Sequence, residues 1–266
     1  MSLRPLPSQQ WIETDDDIGR YHAHKLDQRE RSLDQVYQCL PGSEAAQREL
    51  HQLLQAHLLQ YPSLYRRDGD QMQYVPGDFT TAIDGAEPLW LSSLWIADDL
   101  AIMEERNGHY HLTGASLCCP SHWSLADKLG RPIRDIHDPI PGFHRALSPK
   151  IDRFFEHLSP QHPVVRFNWS LQDHDGLADP PGMRLAIGEQ TRLYYRVERQ
   201  TLVRLPQTGA IAFTIRVYVH PLEQLKEIDS ALPSLFASID TTSPALASYK
   251  GFDRLAPALE HYRQLV

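Results

Sequence analysis

Residues 192–219 hold two apolar-rich runs joined by Pro206-Gln207-Thr208-Gly209. In the second run Ile211, Phe213, Ile215, Val217 and Val219 occupy successive odd positions, while Thr214 and Arg216 take the other parity. A period of two belongs to a strand, whose successive side chains point to opposite faces. The linking residues are turn formers, so 192–205 and 210–219 are predicted to pair as a tight antiparallel hairpin. Short turns between neighbouring strands favour an α+β layer over alternating βαβ units.

Other periodicities extend that layer. Residues 164–169 read as a further strand, and 109–117 as another entered from the Asn107-Gly108 turn. Ala46, Leu50, Leu53, Leu54 and Leu58 recur at helical spacing behind Ser43, which suits a cap, and Glu44, which suits the positive helix end. Helices are also predicted over 89–103, over 124–129 up to a left-handed Gly130, and from Ser148-Pro149 to Leu158. Residues 221–239 read as partly helical with a break at Pro233. The expected fold is therefore an antiparallel sheet flanked by helices, one domain over 1–266. Residues 1–40 are expected to be an arm held by Trp11 and Tyr21, and 240–266 a helical tail.

Composition narrows the chemistry. A chain of 266 residues with 41% hydrophobic content buries a substantial core, and a net charge of -8 argues against nucleic acid as a partner. There are three cysteines, two of them the adjacent Cys118 and Cys119, which make neither a disulfide framework nor paired zinc knuckles. Residues 1–7 lack the apolar run of a signal peptide, and no stretch approaches the roughly 20 apolar residues that span a bilayer. A cytoplasmic location is the expectation. No GxGxxG, Walker loop or convincing GxSxG is present, which removes nucleotide folds and α/β-hydrolases.

Two regions carry candidate chemistry. His137 precedes Pro139 and Pro141, whose fixed φ angles restrict the backbone around it. Such an imidazole suits a metal or haem iron, and equally a histidine that braces a loop. His22/His24 and His109/His111 are i, i+2 pairs that would share a strand face, but a solvated arm and a strand edge account for them as well. The run Arg196-Val197-Glu198-Arg199 through Arg204 places Arg196 and Arg204 on one parity and Arg199 on the other. Surface ion pairing explains it, and so does a clamp for carboxylates, which the guanidinium fork matches in pairs of hydrogen bonds. An ordered imidazole and arginines together fit haem, one for the iron and the others for the propionates.

Three blocks resemble the family of the alpha subunit of haem-dependent oxidative N-demethylase. The first runs from Leu117 to Pro141 and includes Pro120-Ser121-His122-Trp123, Lys128-Leu129-Gly130 and Ile136-His137-Asp138-Pro139-Ile140-Pro141. The others are Arg166-Phe167-Asn168-Trp169-Ser170 and Glu198-Arg199-Gln200-Thr201-Leu202 with Leu205-Pro206. The resemblance implies a PAS-like fold holding haem b. It also implies oxidation of a small methylated amine such as dimethylamine by O2, releasing formaldehyde, with electrons from a separate reductase carrying flavin and an iron–sulfur centre. It makes His137 the axial ligand, with His144 as fallback, and Arg199 and Arg204 the propionate partners, with Arg166 and Lys128 as further candidates. Glu198 would be the polar group near the amine, and Trp169, Phe167 and Phe213 would wall the pocket or serve as ordinary core. The contrasting reading is a haem PAS module that senses gas or redox state without catalysis.

Overall fold

The computed structural model describes residues 3–121, 123–136, 148–179 and 186–264, with no side chains given for 148–150. Its strands are β1 (Arg4–Pro5), β2 (Tyr37–Cys39), β3 (Tyr65–Asp68), β4 (Gln71–Tyr74), β5 (Phe79–Ala82), β6 (Asp99–Arg106), β7 (His109–Ser116), β8 (Val164–Gln172), β9 (Tyr194–Arg204) and β10 (Ile211–Pro221). Its α-helices are α1 (Ile18–Val36), α2 (Glu44–Leu58), α3 (Pro88–Leu94), α4 (Ile133–Ile136), α5 (Ser148–Glu156), α6 (Ala231–Asp240), α7 (Pro244–Tyr249) and α8 (Phe252–Arg263). Seven strands form one antiparallel sheet in the order β1-β8-β9-β10-β6-β7-β2, and β3-β4-β5 form a second, smaller one. The fold is α+β, as the sequence indicates.

The predicted hairpin is the spine of the large sheet. β9 and β10 pair from Arg204 opposite Ile211 to Tyr194 opposite Pro221, and Gly209 turns the chain at a φ of 72° that a side chain rarely adopts. Glu49 on α2 secures the turn by accepting bonds from the Gln207 and Thr208 amides and the Thr208 hydroxyl. β10 is the middle strand, so both its faces meet protein. Thr214 and Arg216, on the polar parity, are buried along with Val217 and Ile211. Alternation that usually marks one wet face here marks two covered ones, with Thr214 and Arg216 set into an otherwise apolar layer.

On the polar-parity side, Leu50, Leu54 and Leu58 of α2 pack with Trp11, Leu100, Ile102, Val203 and Ala212. Each fully buried leucine contributes about 1.5–3 kcal/mol, so this helix is a principal stabiliser of that layer. A separate cluster of Leu171, Leu193, Leu222 and Phe252 seats α6 and α8 beside β8 and β9. The opposite side is covered by Leu125 and Ile136 over Ala101, Leu112 and Ala115, and by Ile151 and Phe155 of α5 over Met103 and Leu202.

Five expectations change. Residues 89–103 are not one helix: α3 ends at Leu94 and β6 begins at Asp99. The buried run Leu100–Met103 lies between β10 and β7, and a strand covered on both faces shows no alternation to distinguish it from a helix. Residues 18–36 of the expected arm form α1, and β2 then joins the sheet; Trp11 and Tyr21 are buried as anchors. The segment 124–129 is a turn, in which Leu129 donates to the Leu125 carbonyl and Gly130 has a φ of 79°. Pro233 lies in the first turn of α6, where a missing amide is tolerated, and does not break it. At α2, Ser43 makes no capping bond, because its hydroxyl donates to the Leu40 carbonyl.

Buried charges tie α1 to the start of β6. Lys25, fully buried, donates to the carbonyls of Ser93, Ile96 and Asp98 at 2.7, 3.1 and 2.5 Å. Asp99 accepts the amides of Cys118 and Cys119 at 2.9 and 2.8 Å, fixing the exit of β7. Burial pushes the carboxyls of both Asp98 and Asp99 above the ordinary aspartate value.

Candidate functional site

Register divides the motif residues between two faces. Gln200 lies opposite Arg166 on β8 and Ile215 on β10, and Glu198 lies opposite Asn168 and Val217. Paired residues share a face, so Arg166, Asn168, Arg196, Glu198, Gln200 and Arg204 line one side with the apolar residues of β10. Phe167 opposite Arg199 and Trp169 opposite Val197 lie on the other.

On the Glu198 face a polar strip borders an apolar floor. The Glu198 carboxylate accepts from Gln200 Nε2 at 2.9 Å, Asn168 Nδ2 at 3.3 Å and Arg196 Nε at 3.3 Å. Arg196 is almost wholly buried, and its remaining nitrogens donate to the Leu177 and Cys119 carbonyls at 2.7 Å each, stapling two loops to the sheet. Arg166 differs: it is half-buried, yet its guanidinium has no hydrogen-bond or ion-pair partner among the described residues. Burial lowers its pKa and the nearby Glu198 charge raises it. The adjoining floor consists of Ala101, Ala115, Phe213, Ile215 and Val217. Phe213 and Ile215 are only partly buried although they sit on the middle strand of seven, so the floor is accessible at its centre.

Arg199 faces the opposite way. Only 3% exposed, it donates to the Trp11 carbonyl at 3.1 Å and the Gln10 carbonyl at 2.5 Å, and pairs with Glu13 at 3.3 Å. Arg216 beside it bonds the Glu13 carbonyl and Asp15. These two arginines hold the segment before α1 against the sheet, which accounts for the acidic character of that segment. Arg204, on the Glu198 face, donates to the Tyr110 hydroxyl and the Phe155 carbonyl at 3.1 and 2.9 Å. Lys128 is half-buried in the turn before Gly130.

The histidine candidates separate. His137 and His144 lie outside the described residues. His22 and His24 are on α1, not a strand, and reach the Leu94 and Cys118 carbonyls at 3.1 and 2.8 Å. His109 pairs with Asp152 at 2.8 Å and His111 bonds the Gly130 carbonyl at 2.9 Å, so each has a structural partner. Among the aromatics proposed as walls, Phe213 shares the Glu198 face. Trp169 stacks on Phe252 beneath Lys250, and Phe167 is 60% exposed on the other face. A cleft of about 670 Å3 lies away from this strip, between α2 and residues 83–88. Its lining mixes Gln47, Arg48, His51 and Asp84 with Tyr37, Leu40, Ile83 and Pro88, and it includes none of the residues of the three sequence blocks.

A sequence model of the family described as haem-dependent oxidative N-demethylase, alpha subunit-like, matches residues 2–260. The chain belongs to that family.

Haem is a flat apolar ring with two carboxylates at one edge, and the Glu198 face of this family member matches both parts. Phe213 and Ile215 offer a partly exposed apolar surface, while Ala101 and Ala115 beside them are buried under Leu125 and Ile136. Arg166, at its border, is a half-buried guanidinium with unclaimed donors, which a carboxylate would satisfy. The family's description names haem dependence and oxidative N-demethylation. Gln200 and Asn168 join Arg196 of the candidate clamp around Glu198. Parity with Glu198 is the signal that identifies them. No described helix is long and apolar enough to cross a membrane.

Proposed function

We propose that the chain is the haem-carrying, PAS-like subunit of an oxidative N-demethylase. It converts a small methylated amine such as dimethylamine into formaldehyde and the shorter amine, using O2 and electrons from a separate flavin and iron–sulfur reductase. The Arg166 guanidinium, which has no hydrogen-bond or ion-pair partner among the described residues and shares its face with the partly exposed Phe213 and Ile215, is the observation that carries this reading. Arg166 would hold one propionate, with Lys128 and Arg204 the other cations for that edge, and His137 would ligate the iron, with His144 the alternative. Arg199 is assigned to the segment before α1 because its donors are occupied there.

Bound haem b supplies O2 activation and one-electron chemistry, and the chain supplies the surroundings. Phe213 and Ile215, the partly exposed apolar residues of this face, would exclude water from the reacting methyl group. Glu198 places negative charge beside the apolar floor, where it favours a protonated amine. The proposed setting is one domain over 1–266 acting in the cytoplasm.

Protein produced with a haem precursor tests this directly. The expected result is a Soret band that His137→Ala alters, and formaldehyde release from one or more of a panel of methylated amines once a competent reductase is added. An unaltered His137→Ala spectrum transfers ligation to His144. A haem protein that releases no formaldehyde with any amine fits the sensor reading, and a protein that takes up no haem contradicts both.

A further inference from the structure

Glu198 has little acceptor capacity left for a substrate. Three donors already converge on its two oxygens, from Arg196, Asn168 and Gln200. An ionised carboxylate accepts only, so the amide nitrogen of Gln200 must be the end that faces it, at 2.9 Å. The Gln200 carbonyl oxygen, carried on the same carbon, is then turned away from Glu198. It receives no hydrogen bond among the described residues and is not one of the sealed, unpartnered buried atoms. On its face Gln200 is flanked by Arg166 on one side and Ile215 on the other, between the free guanidinium and the apolar floor.

We propose that the Gln200 carbonyl oxygen is the acceptor for an N–H of the bound amine, and that Glu198 is a positioning residue that sets which way the amide faces. This rests on the haem reading of the Glu198 face. A carbonyl acceptor suits this place because the propionates proposed for the Arg166 edge accept hydrogen bonds only and cannot satisfy it. The ligand class follows: amines that present an N–H when bound, including primary, secondary and protonated tertiary amines. Quaternary ammonium ions are excluded for want of a proton.

Calorimetric titration of the full-length, haem-loaded protein with dimethylammonium and with tetramethylammonium tests the assignment. Wild type should bind dimethylammonium and discriminate against tetramethylammonium. Gln200→Leu should weaken dimethylammonium about tenfold or more, as expected for losing a hydrogen bond to a charged group, and leave the Soret band unchanged. Glu198→Gln should reduce the discrimination between the two cations by a smaller factor, since an amide partner lets Gln200 sit either way round. Wild-type affinity in Gln200→Leu, or equal binding of tetramethylammonium by wild type, overturns the proposal and leaves the haem reading intact. Absence of haem from wild type sinks the underlying reading. Should Gln200→Leu lose haem, Gln200→Met is read in its place, and loss of haem from both makes Gln200 a cofactor-supporting residue and ends the proposal.

Discussion

Neighbouring arginines of like sequence context do unlike work. Arg166 and Arg199 lie on adjacent strands, Arg166 opposite Gln200 and Arg199 opposite Phe167, one step apart in register. That step reverses the face, so Arg199 is satisfied by main-chain carbonyls and Arg166 is not. The parity of Arg196, Arg199 and Arg204 is readable from their spacing. Their partners are not, because the Trp11 carbonyl bonded by Arg199 lies 188 residues away. Histidines illustrate the same limit, since His57 in α2 carries no sequence mark of its environment. Burial lowers its pKa from about 6.5, and its Nε2 is enclosed without a partner. Above pH 6.5 the ring is neutral folded or unfolded. Below it the unfolded chain binds a proton that the folded chain resists, so stability falls as pH drops toward the lowered folded value and then levels off. Urea midpoints measured from pH 7.5 to 5 should decline less steeply in His57→Leu than in wild type. Parallel curves would show that another group sets the slope.

At the scale of elements, legibility followed exposure. The β9–β10 hairpin and α2 were clear because turn chemistry and helical spacing are local signals. β6 was misread because a strand between two others, buried on both faces, has lost its alternation. α1 was missed for the opposite reason: it is largely polar, and its hold on the domain comes from a few side chains such as Tyr21 and Lys25. The segment before it depends on two buried guanidiniums. Arg199→Met removes the bonds to Gln10 and Trp11 and the ion pair with Glu13, whose other carboxylate oxygen keeps the Tyr218 hydroxyl. Losing the bonds that a charged donor makes to the main chain costs about 1.5–3 kcal/mol, and the partly exposed Glu13 adds little to it. Chemical unfolding should show that loss, and limited proteolysis should cut within residues 3–17 before the sheet. Wild-type resistance would mean that Arg216 and the packing of Trp11 and Ile12 hold the segment without Arg199.

For the whole molecule, the two faces of one sheet have separate duties. The Arg199 face is closed by α2, by the N-terminal segment and by buried charge, and it fixes the fold. The Glu198 face carries the partly exposed Phe213 and Ile215, a carboxylate held by three donors, and in Arg166 a guanidinium without a hydrogen-bond or ion-pair partner among the described residues. The sequence motifs contained both sets interleaved, and only strand register separates them. The most direct measurement is a hemin titration of the haem-free protein followed at the Soret band, with Arg166→Leu alongside. Saturable, equimolar uptake by wild type and about tenfold weaker uptake by Arg166→Leu, from loss of a charge-assisted bond, is the predicted result. Absence of uptake by wild type, or equal affinity in the variant, would contradict the placement of haem on the Glu198 face.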